Sequence, residues 1–86
     1  MRQVRLENKA FEHLIYWAKT DVKLMRKILA LIKETQRTPF TGRGKPEPLK
    51  HELKGYWSRQ INDEHRLVYE VTDEAIKIQN SVNNSN

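Results

Sequence analysis

No cysteine occurs among the 86 residues, so neither disulfides nor thiolate metal sites hold this chain together, and cysteine usage leaves its redox compartment open. No apolar run is long enough to span a membrane. The opening residues, Met1-Arg2-Gln3-Val4-Arg5, place a basic residue on each side of Val4 with no hydrophobic segment behind them, so a secretory signal is not expected there. A cytoplasmic protein is the expectation. Histidine is sparse too: His13, His51 and His65 are well separated and lack metal-ligand spacing. Nothing resembles a Ser-His-Asp arrangement, a phosphate-binding glycine loop or a zinc site. At this length a single small domain, with a core only just large enough to fold unaided, is expected over residues 1–86.

What the chain has in excess is positive charge. The formal balance of +5 is spread along the sequence rather than gathered in a tail. Such a balance favours polyanionic partners through long-range attraction, although many basic domains bind no nucleic acid.

Periodicity divides the chain into a strand, two helices, a loop and three strands. Residues 2–6 alternate, with Val4 and Leu6 on one face. Asn8 is placed to cap a helix carrying Phe11, Leu14, Ile15 and Ala18 at helical spacing. A second helix is predicted from Thr20 or Asp21, with Leu24, Met25, Ile28, Leu31 and Ile32 as its apolar stripe. Lys23, Arg26, Lys27 and Lys33 fall on its other faces and read as a solvated surface. Two amphipathic helices with a short joint imply an antiparallel hairpin. Pro39 ends the second helix, and Gly42, Gly44, Pro46 and Pro48 keep the next dozen residues irregular, a loop of the length that often carries function. Strands follow over 56–61, 65–71 and 75–79, joined by the turns Asn62-Asp63 and Thr72-Asp73-Glu74. Close spacing makes these an antiparallel meander. The first strand adds to it, giving an α+β fold with a helical hairpin on one face of a mainly antiparallel four-stranded sheet.

The other face is then free, and it is where candidate chemistry collects. Glu47 lies between Pro46 and Pro48, which stiffen the backbone that aims its side chain. Lys45 and Lys50 flank it, and the loop leads directly into the strands that carry Arg59 and Arg66. Arg59 and Gln60 occupy successive strand positions, so only one of them faces the open side. Each residue also has a plainer account. Glu47 reads as a solvated loop acid, Arg66 as an ion-pair partner for Glu64 or Glu70, Trp57 and Tyr69 as packing, and His51 and His65 as ordinary polar histidines.

The segments Thr35-Gln36-Arg37-Thr38-Pro39-Phe40, Gly42-Arg43-Gly44-Lys45-Pro46-Glu47-Pro48-Leu49-Lys50-His51, Gly55-Tyr56-Trp57-Ser58-Arg59 and Asp63-Glu64-His65-Arg66-Leu67-Val68-Tyr69 resemble the YoeB/Txe toxins of bacterial toxin–antitoxin systems. Tyr16-Trp17 and Thr20-Asp21 extend the likeness over nearly the whole chain. The resemblance implies a RelE-like microbial ribonuclease fold, binding at the ribosomal A site, cleavage of mRNA there, and neutralisation by a YefM-type antitoxin; it also allows a homodimer. It implies attack by a ribose 2′-hydroxyl, with Glu47 as general base and Arg66 stabilising charge on the phosphoryl oxygens. Lys45, Lys50 and Arg59 take substrate-backbone positions, Glu64 supports the site, and neither metal nor other cofactor is required.

Two departures from the family pattern stand out. Gln60 follows Arg59 where relatives carry a second arginine, and Asn84 and Ser85 stand where the family ends in a histidine and a tyrosine. Asparagine releases no proton at useful pH, so the family's general acid is missing. The chain is therefore expected to be a ribonuclease of reduced activity, the alternative being a non-catalytic relative that binds an antitoxin through the basic cleft.

Overall fold

A computed structural model describes residues 1–80. Its elements are β1 (Gln3–Leu6), α1 (Asn8–Thr20), α2 (Val22–Arg37), β2 (Glu47–Pro48), a 3₁₀ turn (His51–Leu53), β3 (Tyr56–Gln60), β4 (Arg66–Val71) and β5 (Ala75–Asn80). Asn84, Ser85 and the rest of the tail lie outside the described residues.

The start of α1 corrects the expected cap. Glu7, in extended conformation, occupies the N-cap position without a side-chain bond, and Asn8 is already helical. The reason is tertiary: the Glu7 amide donates to the Ile78 carbonyl at 3.0 Å, prolonging the contact with β5 and fixing where the chain turns into the helix. The joint between the helices is Asp21. Its backbone amide donates to the Trp17 carbonyl at 2.8 Å, closing α1, while its side chain accepts from the Leu24 amide at 3.1 Å, capping α2. Thr38, before Pro39, ends α2 by donating to the Glu34 carbonyl at 2.8 Å.

The hairpin packs on one face of the sheet. Ala10, Leu24, Ile28, Leu31 and Ile32 from the helices meet Ile61, Leu67, Tyr69, Ile76 and Ile78, with Leu14 and Trp17 against the same cluster. The buried side of α1 thus runs through Ala10, Leu14 and Trp17, whereas Phe11 and Ile15 stay on an exposed flank. Strand alternation holds as expected: Leu67 and Tyr69 are buried under the helices and Arg66 points to the opposite face.

The sheet has five strands, in the order β1-β5-β4-β3-β2, rather than four. β1 runs parallel to β5, with Val4 opposite Ile76 and Leu6 opposite Ile78, and the remaining pairs are antiparallel. The additional strand is Glu47–Pro48, paired with Ser58 and Trp57. Backbone bonds on either side hold it there: the Gln60 amide donates to the Gly44 carbonyl at 2.7 Å, and the Leu49 amide to the Tyr56 carbonyl at 2.8 Å. The irregular loop is in effect a strap laid along the sheet edge.

Candidate active site

The strap and the meander bring one acid and one guanidinium together. Glu47 sits opposite Ser58 in the β2–β3 pairing, Ser58 sits opposite Val68 in β3–β4, and Gln60 sits opposite Arg66. Residues opposite one another share a face, so Glu47, Ser58, Gln60 and Arg66 are all directed away from the helices. Arg66 Nη2 donates to Glu47 Oε1 at 2.8 Å. Arg66 Nε and Nη2 also donate to Ser58 Oγ, at 3.0 and 2.9 Å. Ser58 is buried, so it fixes the guanidinium from beneath. Arg66 Nη1 has no hydrogen-bond partner among the described residues, leaving donors of the planar fork for an incoming anion.

This pair settles which partner Arg66 takes: Glu47, nineteen positions away, and neither Glu64 nor Glu70. Both members remain accessible, with side-chain exposures of 39% for Arg66 and 60% for Glu47. At that exposure the ion pair stabilises the fold little, so an anion can displace the carboxylate from the guanidinium at small cost.

The other expected site residues divide. Lys45 and Lys50 are exposed on either side of Glu47 along the strap, and neither side chain bonds another described residue. Lys45 has a left-handed backbone, φ 50, uncommon outside glycine. Glu64 is exposed in the β3–β4 turn, where its amide donates to Asn62 Oδ1 at 2.9 Å; its carboxylate does not reach Arg66. His65 packs edge-on against Trp17, with ring centroids 5.1 Å apart, and Trp57 lies against Phe40 at 4.9 Å, so these rings serve packing.

Arg59 requires correction. Its strand position turns it to the helix face, where it is fully buried. Its Nε donates to the Tyr69 hydroxyl at 3.2 Å and its Nη1 to the Arg43 carbonyl at 2.9 Å. Its Nη2 donates to the carbonyls of Thr41, at 2.8 Å, and Thr38. Tyr69 in turn donates to the Pro39 carbonyl at 2.8 Å. Burial pushes the Tyr69 phenol above its ordinary pKa, and the neighbouring Arg59 charge offsets this only in part. Arg59 is thus the buried staple of the strap and does not present its charge to the open face.

Ser58 is the site residue that the sequence reading missed. Its signal was present in the alternation: whichever face Arg59 avoids, Ser58 and Gln60 must occupy. Among the described residues no helix is long and apolar enough to cross a membrane, and no three His, Cys, Asp or Glu side chains cluster to hold a metal ion.

A helical hairpin on one face of a mixed sheet, with an acid, a serine and an arginine on the other, is the α+β architecture of the RelE-like folds. The profile of the YoeB-like toxin of bacterial type II toxin-antitoxin systems matches residues 6–83, and the chain belongs to that family. Toxin YoeB of Escherichia coli (strain K12) is 56% identical over 70 residues, covering 81% of this chain and 83% of that protein. Among solved structures, a YoeB/ParE toxin from Agrobacterium tumefaciens superimposes with a TM-score of 0.91 at 37% identity, covering 95% of this chain and 98% of that one. A YoeB dimer from Staphylococcus aureus gives 0.87 at 44% identity, covering 94% of each chain. A heterotetrameric YoeB-YefM toxin-antitoxin complex from the same organism gives 0.86 at 43%, covering 95% of each.

Proposed function

We propose that this toxin is a metal-independent endoribonuclease that enters the ribosomal A site and cleaves mRNA by 2′-hydroxyl attack. The observation that carries the reading is the 2.8 Å contact between Glu47 and Arg66 on the open sheet face, held from below by Ser58. A phosphodiester arriving there takes Arg66 from Glu47, since two oxyanions compete for one accessible guanidinium. The freed carboxylate then accepts the proton of the adjacent ribose 2′-hydroxyl. The 2′-oxygen bonds to phosphorus, charge building on the phosphoryl oxygens is met by the Arg66 donors, and the bond to the 5′-oxygen breaks. The products are a 2′,3′-cyclic phosphate and a 5′-hydroxyl, whose proton comes from water or a ribosomal group because Asn84 supplies none. Losing a general acid typically costs about 100- to 10,000-fold in rate, so slow turnover is expected. Lys45 and Lys50 attract the flanking backbone, and Glu64 supports the turn beside Arg66.

Cytoplasmic action, a YefM-type antitoxin and a homodimeric form complete the reading, in line with the complex and dimer of the S. aureus relatives. Asn84 and Ser85 favour one second reading, that of a toxin relative that keeps its antitoxin-binding surface without cleaving.

Purified protein on programmed ribosomes separates them. The wild-type chain is expected to cut mRNA leaving cyclic phosphate and 5′-hydroxyl ends, and Glu47→Gln to slow this by about 100-fold or more. Equal cleavage by Glu47→Gln overturns the assignment of the base. No cleavage by the wild type, with antitoxin still bound, establishes the binding module instead.

A further inference from the structure

A cleft of about 490 Å³ opens where α2, the strap and the β3–β4 turn meet. It is lined by Lys27 from α2, by Arg43, Gly44 and Lys45 from the strap, and by Gln60 and Asp63 from the strand and turn beside it. Three cations therefore face a single carboxylate. None of the three is in an ion pair: among the described residues only Arg37–Glu34 and Arg66–Glu47 pair within 4 Å.

Holding like charges together raises a local positive potential and is unfavourable until an anion enters. The backbone here is also left-handed, a conformation that glycine adopts readily and that is sparsely populated for Lys45. Lys45 has φ 50, and Gly44 before it φ 83. A Cβ on Gly44 would lie 2.9 Å from the Gln60 carbonyl oxygen, so the strap approaches β3 as closely as only glycine permits. Strain of this kind persists only where surrounding bonds over-determine it, as the Gln60–Gly44 hydrogen bond and the β2–β3 pairing do here. Lys27 reaches the cleft because it lies one helical turn before Leu31, another residue of the lining.

Neither Glu47 nor Arg66 lines the cleft, which lies at the sheet edge toward α2; the strap and Gln60 connect it to them. Gln60 belongs to its wall and stands directly opposite Arg66 in the ladder, where facing Cα atoms are roughly 5 Å apart. Lys45 is two residues before Glu47.

We propose that Lys27, Arg43 and Lys45 form a second phosphate subsite, which holds a phosphodiester of the substrate strand flanking the one that reacts. Resting on the ribonuclease reading, it extends that site to residues of α2 and the strap, and assigns Lys27 a ligand in place of a solvated face. Recognition is of the charged backbone, so it is independent of base.

The probe is a single-stranded RNA oligonucleotide with 2′-O-methyl at every sugar, which cannot be cleaved, titrated without ribosomes. For Lys27→Gln with Arg43→Gln, the slope of log affinity against log salt is expected to fall by about 0.7, the one phosphate contact that the subsite makes. Neutral methylphosphonate linkages are then placed one at a time along the strand. The wild type should lose affinity at a linkage where the double variant loses little, a non-additivity that assigns that phosphate to these cations. Equal losses in both proteins at every linkage mean diffuse attraction and overturn the subsite, as does an unchanged salt slope or no binding by the wild type. Failure of the ribonuclease reading shows separately, as no cleavage of mRNA by the wild type on programmed ribosomes.

Discussion

Arg59 and Gln60 are neighbours in sequence and opposites in the structure. Arg59 spends its donors on the carbonyls of Thr38, Thr41 and Arg43 and on the Tyr69 hydroxyl. Gln60 stands beside Arg66 on the open face. The cation missing relative to the family pattern is therefore the one that would lie on the open face beside Arg66, while the buried structural arginine is kept. Gln60→Arg is expected to tighten RNA binding and to steepen its salt slope by about 0.7, as one further phosphate contact does. Titration of an uncleavable oligonucleotide at several salt concentrations checks this, and an unchanged slope would place residue 60 off the RNA path. That one of the two positions faces inward was legible from strand alternation. Which one was not, because an arginine is ordinarily assigned to the wet side. Only the carbonyls of the strap, gathered beneath it, make burial of a guanidinium tolerable.

At the scale of elements, the strap deserves the name of an element although it contains only a two-residue strand. Arg59 staples its first half, the Gly44–Gln60 bond its middle and the Leu49–Tyr56 bond its end, and Glu47 lies between the last two. Gly44→Ala combines a left-handed backbone with a Cβ 2.9 Å from backbone oxygen. A loss of about 1–3 kcal/mol is expected from the backbone conformation alone. For a domain of this size each 1 kcal/mol lowers Tm by roughly 4–8 °C. Gly55→Ala is the control: φ is 98 there too, yet nothing lies within 4 Å of the added carbon. Thermal unfolding and ribosome cleavage of both variants should show similar backbone cost but a larger loss of cleavage for Gly44→Ala. Equal cleavage in the two would mean that the strap does not position Glu47. The sequence pattern placed both helices and four strands within a residue or so at most ends, since each carries its own period. It left β2 as loop, because Glu47 and Pro48 alone have no period to read and are a strand only by virtue of what they pair with.

The whole molecule depends on a polar hub where the strap meets the core. The Tyr69 phenol is buried, donates to the Pro39 carbonyl and accepts from Arg59, and its pKa is raised above the ordinary 10.0. A raised folded-state pKa means that the unfolded chain releases this proton first. The stabilisation is therefore complete below about pH 10 and is lost as pH rises through the folded value. Urea unfolding on either side of pH 10 should show stability falling with pH, and Tyr69→Phe should be less stable at pH 8 but flatter across that interval. An equal fall in the variant would assign the alkaline transition to other groups.

The sequence by itself determined the α+β class, the hairpin, the meander, the family and the candidate acid and arginine, because periodicity and motif are local properties of the chain. Tertiary structure alone decided that Glu47 meets Arg66 across nineteen residues, that Ser58 supports them, that Arg59 is buried, and that Lys27 joins the strap cations. Each of these depends on strand register and on packing between distant segments. A shift of one residue in register would have turned every one of these strand side chains to the other face.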